Sequence, residues 1–132
     1  SCNLDGLRIE QEIWRDILAE RNLKGKTVLV VWHSLLGCKT CNDFVFVLVE
    51  KKIGNNLPVL FIVADYRSRN STDTEVYLGP KESLGLSVEE LKVPFIFVYD
   101  NEIRHLFVPD TRNENAFEMY LDVVSMRYGV KQ

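Results

Sequence analysis

"HSLLGCKTCNDF", residues 33–44, is the stretch on which the reading of this chain turns. Cys38 and Cys41 stand two residues apart behind Gly37. Such a pair serves as a redox dithiol, as half of a metal site, or as an inert structural disulfide. The spacing alone does not choose among these, so the flanking sequence has to.

Upstream lies "TVLVVWHS" (27–34), a short apolar, β-branched run suited to a strand buried on both faces. Downstream, "CKTCNDFVFVLVEKKIGN" (38–55) carries mixed signals. Its "FVFVLV" core prefers a strand by propensity. Asp43 early, Lys51 and Lys52 late and Gly54 beyond are helix-end signals, and they decide for a buried helix. "LPVLFIVADY" (57–66) is again a buried strand, starting after Pro58 and ending near Ala64. Two apolar strands joined by a helix form a parallel βαβ unit.

The remaining elements extend that unit. "DGLRIEQEIWRDILAERNLKGK" (5–26) has helical periodicity, with Ile13, Trp14, Ile17 and Leu18 on one face. Asp5 is read as its cap and Gly25 as its stop. Residues 66–92 are polar and mixed, and "RSRNSTDTE" (67–75) reads as a solvated loop. A helical turn is expected after Thr72, and a second capping pattern joins Ser87 to Glu90. Asp65, at the end of the second strand, is read as a turn residue, with a place on the cysteine edge as the alternative. "KVPFIFVYDNEIRHLFVPD" (92–110) predicts a hairpin with strands 95–99 and 103–108 around "DNE". "NENAFEMYLDVVSMRYG" (113–129) closes the chain as an amphipathic helix capped by Asn113 and ended by Gly129. The predicted fold class is α/β, a mixed central sheet with helices on both faces. Residues 1–25 form an N-terminal segment and helix, and 26–132 the rest of one compact domain.

Composition narrows the function. The 132 residues are 46% hydrophobic and 27% charged, which describes a globular domain able to bury a core. A net charge of -3 argues against a nucleic-acid partner, which a basic face would have to hold. No run approaches the roughly 20 apolar residues of a membrane span. Metal is disfavoured: a zinc site needs four ligands, and beyond the cysteines only His33 and His105 remain, unpaired in sequence. Haem attachment is excluded because Asn42 stands where a histidine is required.

A CxxC at the start of a helix fits dithiol chemistry. Two intervening residues allow a small ring, and the helix N-terminus stabilises a thiolate. Cys38, at the first turn, is the expected nucleophile, and Cys41, one turn in, the expected resolving thiol. Lys39 is expected to lower the Cys38 pKa by its charge. His33, at the strand end, is a candidate for tuning the thiols. His105 is expected on the surface.

At this point the chain resembles the thioredoxin-like family over about residues 26–129. The likeness is carried by the buried strand, the CxxC opening a helix, the second parallel strand, the "VP" opening a hairpin, and the last helix. It implies a thioredoxin-like fold and thiol-disulfide oxidoreductase activity. It implies no organic cofactor, and disulfide-bearing or dithiol protein partners. It further implies a cis Pro94, with Val93 and Pro94 positioning the partner chain. "CKTC" with "PFIFVYDNEIRHLFVPD" is also similar to thioredoxin-like lipoproteins of Bacteroidetes-type bacteria. Cys2, behind Ser1, is then a candidate lipidation site, which implies a periplasmic or cell-envelope protein tethered to a membrane. A monomer is expected.

The sequence departs from the family pattern in four places. Gly37 replaces the usual tryptophan before the first cysteine, and Lys39-Thr40 replaces Gly-Pro between the two. Trp32 lies six residues before Cys38, so "HSLLG" reads as a lengthened loop. The position of the family's buried acidic residue falls at Val30, which cannot move protons. A peroxidase relative would need Thr or Pro where Leu35 stands. The alternative function is a non-catalytic binding module on the same scaffold, its disulfide purely structural.

Overall fold

The computed structural model describes residues 4–66 and 70–130. The order of elements is α1 (Glu12–Glu20), β1 (Val28–Ser34), α2 (Lys39–Lys52), β2 (Val59–Ala64), β3 (Glu75–Tyr77), a 3-10 turn (Ser87–Leu91), β4 (Phe95–Tyr99), β5 (Ile103–Phe107) and α3 (Glu114–Tyr128). The five strands form one mixed sheet in the order β3-β2-β1-β4-β5. β1 runs parallel to β2, with Leu29 opposite Val59 and Ser34 opposite Ala64. On its other side β1 pairs antiparallel with β4, Val28 opposite Tyr99 and Trp32 opposite Phe95.

The near-continuous apolar runs of β1, β2 and β4 have a direct cause, since each strand is covered on both faces. Alternate residues divide between two cores. Val28, Val30, Trp32, Leu60, Ile62, Phe95 and Phe97 pack against α1 and the segment 76–88. Leu29, Val31, Phe61, Ile96 and Val98 pack against Val45, Leu48 and Val49 of α2 and Phe117, Leu121 and Val124 of α3. Trp32 stacks on Phe95 with centroids 4.8 Å apart, which anchors β1 to β4 at the end nearest the cysteines. The βαβ unit, the antiparallel hairpin, the closing helix and the helices on both faces make this a thioredoxin-like fold.

The helix over the ambiguous "FVFVLV" stretch is observed. Its apolar excess is divided: Val45, Leu48 and Val49 are buried, while Phe46 and Val47 are exposed. Asn113 caps α3 by accepting from Ala116 N–H at 3.2 Å, and Gly129 follows its end.

Several expected boundaries differ. α1 begins after Gln11, not near Asp5, because Leu4 and Ile9 are drawn into the core as extended chain. Gly6 N–H donates to the Ile103 carbonyl at 2.7 Å, and Ile103 N–H to the Leu7 carbonyl at 2.8 Å, which holds the segment along β5. α1 stops at Glu20, before Gly25, where Asn22 turns left-handed at φ 55°. The helical turn expected after Thr72 is instead a strand: β3 pairs in parallel with β2, Val76 opposite Ile62. Pairing an otherwise open sheet edge outweighs the local capping signal. At Ser87–Leu91, Glu89 does the capping in place of Glu90. Its buried carboxylate accepts from Leu84 N–H at 3.0 Å and Leu86 N–H at 2.8 Å. His105 is half-buried rather than on the surface. Its Nε2 lies 2.7 Å from the Tyr128 hydroxyl, beside an irregularity in the β4–β5 pairing. Among the described residues no helix is long and apolar enough to cross a membrane.

Candidate functional site

The candidate site lies beyond the carboxyl ends of β1 and β2, where open α/β sheets place their working residues. Cys38 is extended, at φ -71° and ψ 113°, and occupies the N-cap of α2. Its sulfur accepts from Cys41 N–H at 3.2 Å. The two cysteines form a disulfide with Cα atoms 5.2 Å apart. Cys38 is exposed and Cys41 half-buried. The first turn of α2 contains no acidic residue to oppose a negative charge on the N-cap sulfur.

The loop before the pair is held from below. Ser34 is fully buried at the end of β1. Its hydroxyl donates to Asp65 Oδ2 in a short hydrogen bond and accepts from Leu36 N–H at 3.0 Å. Its carbonyl accepts from Gly37 N–H at 3.0 Å and Asn42 Nδ2 at 3.1 Å. Leu35 N–H donates to the Ala64 carbonyl at 3.2 Å. Asp65 takes the left-handed backbone conformation, φ 61°, which aspartate tolerates better than most residues. Its carboxylate meets Lys92 Nζ at 3.0 Å. The hydrogen bond from Ser34, then the Lys92 ammonium, hold the Asp65 carboxyl below the usual carboxylate range against the opposing effect of burial.

Lys92 brings the second loop in. Its own backbone is left-handed, φ 55° and ψ 25°, where the 3-10 turn ends. A Cβ on Gly37 would strike the Lys92 carbonyl oxygen and lie 3.3 Å from that of Ser34. Glycine therefore permits the cysteine loop to touch the loop carrying Val93 and Pro94. Val93 is part-exposed beside this contact, and Pro94 is buried.

The expected cis bond at Pro94 is not found: every peptide bond among the described residues is trans. Trans is the lower-energy isomer by about 0.5–1 kcal/mol. The chain passes from the left-handed Lys92 through Val93 and Pro94 into β4.

The tuning candidates are placed as follows. Lys39 is highly exposed and bonded to Asp43 at 2.9 Å, one turn along α2, so part of its charge is cancelled. Burial pushes the His33 imidazole below the ordinary histidine range, partly offset by Asp43 and Glu75. The neutral imidazole is thereby favoured. Val30 is core, as its sequence position implies. Cys2, like Arg67 and Arg69 of the polar loop, lies outside the described residues. Among the described residues no group of three histidine, cysteine or acidic side chains is arranged to hold a metal ion.

Sequence reasoning did not foresee the Ser34–Asp65–Lys92 cluster. Ser34 and Lys92 carry no motif, and only Asp65 offered a hint, through its place at a strand end.

Fold and site together define a thioredoxin-like scaffold with a CxxC disulfide at the N-terminus of its second helix. No protein-family model matches the chain. No curated protein matches it either. Among solved structures it is similar to the exposed lipoprotein thioredoxin of Streptococcus pneumoniae, at 16% identity and a TM-score of 0.46. The match covers 78% of this chain and 87% of that one. The fold assignment rests on the strand order and connections described above.

Proposed function

We propose that the protein is a thiol-disulfide oxidoreductase working outside the cytoplasm on protein or small-thiol partners. The observation that carries this reading is the placement of the disulfide: an exposed Cys38 at the helix N-terminus, linked to a half-buried Cys41. In the reducing direction the Cys38 thiolate attacks one sulfur of a partner disulfide. The Cys38–partner disulfide forms, and the partner's own S–S bond breaks to release a thiolate that takes a proton from solvent. The Cys41 thiolate then attacks Cys38 Sγ, closing the Cys38–Cys41 disulfide and releasing the partner's second thiolate, which is protonated likewise. Two electrons pass to the partner, whose two sulfurs take protons from solvent while Cys38 and Cys41 lose theirs to it, and a separate dithiol must regenerate the protein. The oxidising direction is the exact reverse.

In this reading Val93 and Pro94 line the edge along which the partner chain lies. An extracytoplasmic location suits the chemistry, because disulfides persist in oxidising compartments. A lipid on Cys2 would hold the domain at a membrane face, and mass spectrometry of the protein recovered from cell envelopes tests that part.

The activity itself is tested by redox titration against glutathione and dithiothreitol buffers, with thiols trapped and weighed and with Cys38→Ser and Cys41→Ser as controls. A potential between about -270 and -120 mV supports exchange and gives its direction. A potential well below about -300 mV, with Cys38 inert to alkylation in the reduced protein, means a structural disulfide. That result overturns the oxidoreductase reading in favour of a binding module.

A further inference from the structure

Helix α3 is apolar on two opposite faces. Phe117, Leu121 and Val124 are buried in the core it shares with α2 and the sheet. Met119, Val123 and Met126 lie on the outer face and are 67%, 56% and 81% exposed. Val130, just past the helix end, is 65% exposed. A surface helix ordinarily turns charged and polar residues outward. Here a second apolar stripe faces water, and no described element covers it.

The spacing of the stripe is specific. Steps of four, three and four residues lead from Met119 through Val123 and Met126 to Val130, which is the seam of a heptad repeat. Val123 falls at an a position and the two methionines at d. β-branched residues at a, with longer side chains not branched at Cβ at d, favour two parallel strands.

The charges beside the seam point to the occupant. Asp122 flanks the seam on the side of α2, where its carboxylate takes Lys52 Nζ at 3.3 Å, and Arg127 flanks it on the other side. In a parallel pair of identical helices, the residue before an a position meets the partner's residue five places further on. Asp122 of each copy then faces the partner's Arg127, twice by symmetry. An antiparallel pair would bring like charges together instead. Asp122 remains 55% exposed beside Lys52, and Arg127 is exposed, so both can reach across. A surface complementary to itself about a twofold axis fits a second copy of the chain.

We propose that the outer face of α3 is a self-association surface, on which two copies of this chain pair through parallel α3 helices along the Met119–Val123–Met126–Val130 seam. The monomer expected from the sequence took no account of this open face. Four side chains from each copy fall short of the roughly 20–30 residues a side of a standard interface, so the pairing is reversible and depends on concentration. α2 and α3 run in the same direction, since Lys52 at the end of α2 meets Asp122, and Val130 N–H donates to the Asn56 carbonyl at 2.8 Å. Parallel pairing therefore sets both Cys38–Cys41 disulfides at the same end of the dimer. The pairing stands whether or not those disulfides exchange.

The test is sedimentation velocity from about 1 µM to 1 mM. All proteins carry Cys2→Ser, so that the lone thiol cannot cross-link copies. A monomer–dimer equilibrium is expected. Val123→Glu is expected to weaken it at least about tenfold. Leu91→Ser, an exposed apolar position on the opposite face of the sheet, is expected to leave it unchanged. Arg127→Asp and Asp122→Arg are each expected to weaken it by at least about threefold, and an equimolar mixture of the two to recover it as a heterodimer. Thermal melts check that each variant folds. If Asp122→Arg does not fold beside Lys52, Val123→Glu and Arg127→Asp decide the matter. A protein that stays monomeric at 1 mM, or a dimer indifferent to Val123→Glu, overturns the proposal. Charge variants that do not recover on mixing overturn the parallel arrangement.

Discussion

At the scale of single residues, Gly37 and Asp65 constrain the site most. Gly37 is the only residue type that lets the Lys92 carbonyl approach so closely, so Gly37→Ala must push the two loops apart. The expected cost is about 1–3 kcal/mol, read as a lower urea midpoint at unchanged slope. Asp65 gives a pH prediction whose sign follows from its depressed pKa. Its stabilising contribution is complete above the unfolded value of about 3.9 and is lost as pH falls through the lower folded value. Asp65→Asn tolerates the same backbone conformation but cannot pair with Lys92. The variant is therefore expected to be less stable than wild type at pH 5–7, with the gap narrowing as pH falls below the usual carboxylate range. Denaturant melts from neutral into acid check this, and a gap that widens in acid would contradict it.

At the scale of elements, the N-terminus of α2 sets the reactivity of the pair. Once the disulfide is reduced, Cys38 keeps its place at the N-cap, where the Cys41 N–H and the helix dipole favour a thiolate. Its pKa is expected below the ordinary value of about 8.5, and its alkylation should outrun that of Cys41. Because Lys39 is exposed and tied to Asp43, Lys39→Gln is expected to move that pKa by less than about half a unit. A pH profile of iodoacetamide labelling measures both. The same element shows what a sequence can convey. The helix over 39–52 and both flanking strands follow from hydrophobic pattern and end signals, because burial on one or two faces leaves a periodic trace. β3 left none. Its three residues are a strand only because β2 offers an unpaired edge, a fact about distant chain. Ser34, Asp65 and Lys92 were hidden for the same reason. Each is unremarkable in its own segment, and they meet through the β1–β2 register and the corner at Lys92. The cis geometry expected at Pro94 came from the resemblance alone, and the bond is trans.

At the scale of the whole molecule, two cores lie on opposite faces of one sheet, and neither includes a cysteine. The Cys38–Cys41 link closes a loop of sequence separation 3, so its entropic contribution is small, at most about 2 kcal/mol. The reduced protein and the Cys38→Ser/Cys41→Ser variant are expected to stay folded, with melting temperatures lower by less than about 10 °C. Loss of cooperative unfolding on reduction would show that the disulfide is a structural staple. The central position of β1 carries a further consequence. Among the described strands it is the one bonded to a parallel neighbour on one side and an antiparallel neighbour on the other. Its amides should be among the last to exchange with deuterium, opening only when the whole chain opens. Oxidation and reduction should alter exchange beyond Ser34 and leave Val28–Trp32 silent. The reactive sulfur would thus ride at the tip of the stillest part of the protein, its chemistry insulated from the frame that carries it.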